Sequence, residues 1–222
     1  MSLGADRRRG VRLAVVVSVV AAALAIPAAA QAWTAGTDSG DLVLRNDVAG
    51  DLDFYDIGFV AGSPGFYQIE AATADAHVFG NCIVTSELNV VDCSPTGITN
   101  VDVTGETRGP DIIDFDTANG KKAPLPRGVT TTVRTFKGKD SVIGSRNRDV
   151  LLGGAAGDTL SGAGGNDRVN GGTGEDSLYG GGGRDLLQAA DGTADLVIDC
   201  GPDADQAAVF DTCLDPAPVN CG

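Results

Sequence analysis

Aromatic side chains are scarce in this chain of 222 residues, making up 5% of it, with a single tryptophan. Rings fill much of an ordinary globular core, so their scarcity argues against such a core. Proline is sparse and the 32 glycines do not fall at every third residue, which excludes a collagen-like chain. The composition suits a narrow stack of short aliphatic strands joined by glycine-rich turns.

Several catalytic signatures are also absent. The chain has no Gly-x-Ser-x-Gly, no His-Glu-x-x-His and no Gly-Lys-Ser/Thr phosphate loop. Its single histidine, His77 in "ADAHVFG", fits a polar strand residue better than a catalyst. No Cys-x-x-Cys pair is present, which argues against zinc. We therefore expect a protein that is not an enzyme.

The N-terminus has an apolar stretch of about 14 residues, shorter than the roughly 20 that span a bilayer. A basic segment precedes this stretch, and Pro27 and the sequence Ala30-Gln31-Ala32 follow it, as in an export signal. We predict a signal peptide over residues 1–32, cleavage before Trp33, and a secreted protein with no membrane insertion after cleavage. Twin arginines leave the folded-export route open, although general secretion fits better.

Basic residues are few: the chain has 16 basic and 30 acidic residues, and its net charge is −14. Removal of the leader takes away four arginines and one aspartate, which brings the net charge to −17. Such a chain repels nucleic acid and anionic membranes. It suits divalent cations as partners.

Four regions follow the leader. From Asp41 to Ile113, short alternating apolar segments lie between turn residues, which predicts strands. We expect a β-rich N-terminal cap region at 33–116, a linker or two degenerate coils at 117–137, a repeat at 138–198 and a C-terminal cap at 199–222. No long amphipathic helix is predicted after the leader.

The repeat has a period of nine residues. Aspartates stand nine apart at Asp140, Asp149, Asp158, Asp167, Asp176 and Asp185, and Asp195 follows after ten. Two residues beyond each aspartate stands an aliphatic residue: Val142, Leu151, Leu160, Val169, Leu178, Leu187 and Val197. Six residues of each unit can form a glycine-rich turn, and three form a short strand with its middle side chain inside.

Two such units make one coil, so successive units lie on opposite sides. Val142, Leu160 and Leu178 are expected to stack in one layer, and Leu151, Val169 and Leu187 in the layer opposite. The predicted fold is all-β: a parallel β-roll or β-helix solenoid with a β-rich N-terminal cap. A coil of 18 residues leaves no room for a substrate cleft between the paired carboxylates, which argues against a glycoside hydrolase.

Stacking brings aspartates of successive coils to about 4.8 Å, the distance between neighbouring strands. Two carboxylates at that distance repel by about 1 kcal/mol in water and by more in a partly dry cleft. A cation between the turns would remove this repulsion. Carboxylate and carbonyl oxygens are the ligands that Ca²⁺ prefers, whereas zinc prefers Cys or His and magnesium keeps much of its water.

The segment "GGTGEDSLY" at residues 171–179 fits Gly-Gly-x-Gly-x-Asp-x-U-x, where U is aliphatic, and so resembles the RTX, or hemolysin-type, calcium-binding repeats. The match covers about 60 of the 222 residues and weakens from "GGGGRD" through "GAGGND" and "GGAAGD" to "GSRNRD" at 144–149. The resemblance implies that Ca²⁺ lies between turns of adjacent coils. The implied ligands are Asp140, Asp149, Asp158, Asp167, Asp176, Asp185, Gly162, Gly164, Gly171, Gly172, Gly174, Gly180 and Gly181, with aspartates paired at eighteen residues.

Five cysteines in an exported chain predict disulfides with one thiol left over. Cys82 and Cys93 enclose a predicted hairpin and form the natural local pair, while Cys200 could join Cys213 or Cys221. The tail resembles the cysteine-closed tail of the RTX family, which implies Cys200 with Cys221. The segment "GPDIID" resembles the entry to such repeats and makes Asp111 a further candidate ligand.

We therefore expect a secreted, non-catalytic calcium-binding protein whose turns couple folding to extracellular Ca²⁺. The alternative is a cell-surface adhesive or structural matrix protein that calcium stiffens, with an extracellular glycan or protein as partner. A third reading, a toxin-like or hydrolytic protein reduced to its repeats, fits less well because such RTX proteins carry large additional domains.

Overall fold

The computed structural model describes residues 33–46, 53–60, 65–71, 76–85, 90–105, 109–115, 124–203, 209–210 and 214–221. The predicted signal peptide and Cys213 lie outside these residues. Every regular element within them is a β-strand. None of the described segments is a helix long and apolar enough to cross a membrane.

The strands are short, between 3 and 8 residues long. They are β1 (Trp33–Asp38), β2 (Asp41–Asn46), β3 (Asp53–Val60), β4 (Phe66–Ala71), β5 (Ala76–Phe79), β6 (Cys82–Val84), β7 (Val90–Cys93), β8 (Asn100–Thr104), β9 (Asp111–Asp114), β10 (Thr130–Lys137), β11 (Ser141–Ile143), β12 (Asp149–Ala155), β13 (Thr159–Ser161), β14 (Arg168–Thr173), β15 (Ser177–Tyr179), β16 (Leu186–Gln188) and β17 (Val197–Asp199).

Two sheets share these strands. The first has the order β16-β14-β12-β10-β8-β2-β1-β5, and the second has the order β17-β15-β13-β11-β9-β3-β4-β7-β6. From β8 onward the chain alternates between the sheets, and from β10 onward each strand pairs in parallel with the strand two places earlier. This is a two-sided parallel roll, so the predicted all-β solenoid is confirmed.

Both sheets continue into the N-terminal region. Strand β2 pairs in parallel with β8, and β3 pairs in parallel with β9, so these strands add a coil of the same kind. Strands β1 and β4 then run antiparallel to β2 and β3. The segment 117–137, predicted as a linker or two degenerate coils that end in a Thr/Val strand, contains β10, which lies between β8 and β12 in the first sheet.

One aliphatic side chain from each repeat strand fills the interior. In the second sheet Val142, Leu160 and Leu178 lie in register, and in the first sheet Leu151, Val169 and Leu187 do the same. All six are at most 1% exposed, and burial of each contributes about 1.5–3 kcal/mol. The two predicted layers are therefore confirmed.

The last strand departs from the predicted phase. Ile198, rather than Val197, pairs in register with Leu178 and is buried. The amides of Leu196 and Val197 both donate to the Asp176 carbonyl, so two residues oppose one, as in a β-bulge. The extra residue shifts the inward position by one, and the prediction for Val197 was wrong.

Two disulfides lie at opposite ends of the second sheet. Cys82–Cys93 joins the antiparallel strands β6 and β7, and Cys200–Cys221 ties the tail to the residue that follows β17. Their Cα–Cα distances are 4.0 and 5.1 Å.

Candidate metal centre

The repeat turns lie along two edges of the roll. Edge I holds the turns that lead into the second sheet and end at Asp140, Asp158, Asp176 and Asp195. Edge II holds the turns that lead into the first sheet and end at Asp149, Asp167 and Asp185. Neighbouring repeat units thus place their aspartates on opposite edges.

Each edge carries a ladder of aspartates. The backbone amide of one aspartate donates to Oδ1 of the aspartate eighteen residues later. On edge I the distance is 2.9 Å from Asp140 to Asp158 and 2.8 Å from Asp158 to Asp176. On edge II it is 2.8 Å from Asp149 to Asp167 and 2.9 Å from Asp167 to Asp185. The structure therefore brings together the four pairs that the eighteen-residue coil implied.

Edge I extends in both directions beyond the nine-residue period. The Asp111 amide donates to Asp140 Oδ1 at 2.7 Å, which places this candidate at the start of the ladder. The Asp176 amide donates to Asp195 Oδ1 at 2.9 Å, and the Asp195 amide donates to Asp215 Oδ1 at 3.0 Å. Asp195 and Asp215 were not among the predicted ligands, because each lies outside the strict step of nine. The sequence signal that could have identified Asp195 as a ladder residue is its position ten residues after Asp185.

The second carboxylate oxygen has no hydrogen-bond partner in several of these residues. Oδ2 of Asp158, Asp167 and Asp195 is buried without a donor, and these side chains are 1%, 3% and 6% exposed. A buried charge without a partner is unfavourable, so either a proton or a cation must neutralise it. An oxygen-seeking cation such as Ca²⁺ fits this need.

Carboxylates alone would not complete a metal site. Among the described residues, no group of three or more His, Cys, Asp or Glu side chains could hold a metal ion. A cation on either edge would therefore draw ligands from the main-chain carbonyl oxygens of the turns as well as from an aspartate. Mixed carboxylate and carbonyl ligation is typical of Ca²⁺.

Burial and neighbouring charge resist ionisation when no cation is bound. Burial, followed by the charges of Asp140 and Asp176, raises the pKa of Asp158 to about 7. Burial, followed by the charge of Asp149, raises the pKa of Asp167 to about 8. Hydrogen bonds from the preceding coil oppose both shifts without cancelling them. A divalent cation would favour the charged form instead.

The predicted glycines occupy distinct places in the turns. Gly162, Gly171 and Gly180 are first, Gly172 and Gly181 are second with φ of +100° and +95°, and Gly174 is fourth with φ of +139°. In "GAGGND" the fourth position belongs to Gly165, whose φ is +136°, and Gly164 is third. Gly165 is not in the predicted set, although it holds the fourth position of its turn with the same kind of backbone conformation as Gly174.

The first glycine leaves room for its own aspartate. A Cβ on Gly162 would collide with Asp167 Oδ2 and would lie 2.5 Å from the Gly180 carbonyl oxygen of the next coil. A Cβ on Gly164 would have no atom closer than 3.8 Å. The carboxylate and a carbonyl of the next coil thus converge on the space beside the first glycine.

A matched pair of substitutions tests this close packing. We expect Gly162→Ala to lower the free energy of unfolding by about 2 kcal/mol, because the new methyl forces two coils apart. The same change should weaken calcium binding. Gly164→Ala in the same turn should change stability by less than about 0.5 kcal/mol. Denaturant unfolding in calcium measures both, and equal effects would rule out the packing role of Gly162.

One predicted turn, residues 144–149, is closed by its own side chains. The Ser145 amide donates to Asp149 Oδ2 at 2.6 Å, and the Ser145 hydroxyl donates to Asp149 Oδ1 at 2.9 Å. Burial raises the pKa of Asp149 to about 6, and hydrogen bonds that include those from Ser145 oppose the shift. This turn is where the sequence keeps only the first glycine and the aspartate of the motif.

Comparison with known families agrees with the geometry of both edges. The family model described as the RTX calcium-binding nonapeptide repeat, with four copies, matches residues 135–169 and 161–193. Residues 135–193 are therefore RTX-type calcium-binding repeats. Searches of curated proteins and of solved structures found no match.

Proposed function

We propose that this is a secreted, non-catalytic protein whose repeat turns bind Ca²⁺ and fold around it. The observation that carries the proposal is the pair of buried Oδ2 atoms on Asp158 and Asp167, which have no donor within the protein. Each belongs to a ladder of carboxylates at hydrogen-bond distance from the neighbouring coil. Such an arrangement is costly without a cation and favourable with one.

The turns supply the reason why binding would be coupled to folding. Ordering the backbone costs about 1–2 kcal/mol per residue, and glycine loses more freedom than other residues. The repeat strands each bury only one inward aliphatic side chain to offset that cost. Binding of an ion to the folded state alone contributes the missing free energy.

The residues that would hold calcium are the ladder aspartates and the turn carbonyls beside them. Calcium would supply positive charge and a set of bonds to oxygen, and the chain would supply a rigid spacing of eighteen residues. Both carboxylate edges lead directly into strands, so an ion on an edge would fix the start of a strand. This arrangement favours a structural role for the ion.

A test of the proposed function uses pH. The raised pKa values of Asp158 and Asp167, about 7 and about 8, mean that the calcium-free folded protein holds protons that the unfolded chain releases. Stability of the calcium-free protein should therefore be highest at low pH and be lost as the pH rises towards about 8. Calcium needs the ionised carboxylates, so its affinity should rise over the same interval.

Calorimetric calcium titrations at about pH 5.5 and pH 8, with melting curves in chelator, measure both trends. We expect affinity at least tenfold weaker at the lower pH, and a smaller pH dependence in Asp167→Asn, which lacks one of the titrating groups. An absence of calcium binding at pH 8 would refute the proposed function. Affinity that is independent of pH would refute the role of the buried carboxylates.

A further inference from the structure

The turn of residues 144–149 satisfies its aspartate from within. Both Asp149 oxygens accept hydrogen bonds from Ser145, one from the amide at 2.6 Å and one from the hydroxyl at 2.9 Å. The same hydroxyl accepts a hydrogen bond from the Asn147 amide at 3.1 Å. Ser145 and Asp149 are 2% and 0% exposed, so these bonds are shielded from water. The carboxylate thus has two donors from within its own turn, whereas Asp167 in the next turn of edge II keeps one buried oxygen without a donor.

The next turn of edge II, residues 162–167, shows the contrast. Asp167 Oδ1 accepts the Asp149 amide, and Asp167 Oδ2 is buried without a donor. The second and fourth residues of the 162–167 turn, Ala163 and Gly165, have φ of +67° and +136°. The corresponding residues of the 144–149 turn do not have positive φ. The two turns therefore differ in backbone conformation at their second and fourth residues.

The residue type at the register position of Asp149 changes from coil to coil along the first sheet. The strand residues in register with it in earlier coils are Thr131, Val101 and Leu42. Val101 and Leu42 are apolar, so the coils before the repeat carry no charge at this position of edge II. The ladder of aspartates on edge II starts at Asp149.

Side chains of the same turn bind the segment before it. Arg146 Nε donates to the Leu125 carbonyl at 3.2 Å, and Asn147 Nδ2 donates to the Pro126 carbonyl at 2.9 Å. The motif leaves the third position, that of Arg146, open and places glycine at the fourth, that of Asn147, and glycine has no side chain to make such a bond. The turn is joined to the preceding coil by protein hydrogen bonds.

We propose that the turn of residues 144–149 takes no calcium ion, and that Ser145 replaces the ion by donating to both oxygens of Asp149. The inference rests on the proposed calcium function and refines it, because the calcium sites of edge II then begin at the 162–167 turn. The coils up to β12 hold this edge together without an ion. They supply a folded end on which the calcium-dependent coils stack.

Calcium stoichiometry tests the assignment with two matched variants of the full mature chain. Asp149→Asn and Asp167→Asn remove equivalent carboxylates from successive turns of one edge. We expect Asp149→Asn to bind as many calcium ions as the parent, and Asp167→Asn to bind at least one fewer, by calorimetry and native mass spectrometry. Loss of an ion in Asp149→Asn would overturn the assignment.

A second measurement tests the serine without calcium. In chelator, Ser145→Ala should lower the melting temperature by about 3–10 °C, because a buried carboxylate loses a donor. Ser161→Ala, on the outward face of β13, should have a much smaller effect. Equal effects of the two variants would overturn the role of Ser145. If the parent binds no calcium, the proposed function fails, and the role of Ser145 is then decided by this comparison alone.

Discussion

Millimolar calcium is expected to raise the melting temperature of the mature chain by about 10 °C or more relative to chelator. A ligand at about a thousand times its dissociation constant stabilises the state that binds it by about 4 kcal/mol per site. For a chain of this size, 1 kcal/mol corresponds to about 2–4 °C. Circular dichroism should also show a loss of β signal in chelator, because the like-charged ladders of Asp158 and Asp167 then have no cation between them.

Magnesium is the control for this prediction. Mg²⁺ has the same charge but gives up its water reluctantly, so it should stabilise the chain much less than Ca²⁺ does. Both disulfides must stay oxidised in every sample, because their loss would lower stability by itself. Identical melting curves in calcium and chelator would contradict calcium-dependent folding. Equal shifts with both ions would indicate nonspecific screening of the acidic surface.

The repeat was largely predictable because two properties share one period. An aspartate and an aliphatic residue recur together every nine residues, and only a coil of eighteen puts both in register. Leu151 and Val169, for example, could be assigned to one layer before any coordinates were known. Such a period is stronger evidence for the fold than a single motif, because several units must agree in the spacing of both residue types.

Departures from the period were not predictable in the same way. The bulge at Leu196 and Val197 depends on hydrogen bonds to the Asp176 carbonyl, which no local pattern reports. The closure of Asp149 by Ser145 needs a particular backbone path through the turn.

The N-terminal coils could not be recognised from the sequence either. Their aspartate positions on edge II are filled by other residues, such as Val101 and Thr131, so the motif is absent although the strand pairing continues. Only the sheet register shows that these residues belong to the same stack. A search by motif recovers the turns that carry the aspartate and misses coils that continue the strand pairing without it.

Asp158→Asn and Asp176→Asn are expected to act on one calcium site. The Asp158 amide donates to Asp176 Oδ1 at 2.8 Å, so the two residues stand on successive turns of edge I. Asparagine keeps the size of the side chain and removes its charge. If one substitution already empties the shared site, the second removes little more, and the double variant should lose less stability than the sum of the singles by about 1 kcal/mol or more.

The Asp158 and Asp176 variants form a double-mutant cycle, and the control pair for it is Asp158→Asn with Asp167→Asn. These two residues are nine apart in sequence and lie on opposite edges of the roll, each with its own ladder partner. Effects of substitutions at separate sites usually add within about 0.3–0.5 kcal/mol. The two pairs have the same chemistry and the same Asp158 variant in common, so only the geometry differs.

The measurement that most directly tests calcium binding between successive coils is this double-mutant cycle. In each variant of the cycle, the calcium stoichiometry and the free energy of unfolding are measured on the same sample. Strong coupling between Asp158 and Asp176, with near additivity for Asp158 and Asp167, is the predicted result. Equal coupling in both pairs, or stronger coupling for the pair nine residues apart, would contradict a roll with one row of calcium sites on each edge.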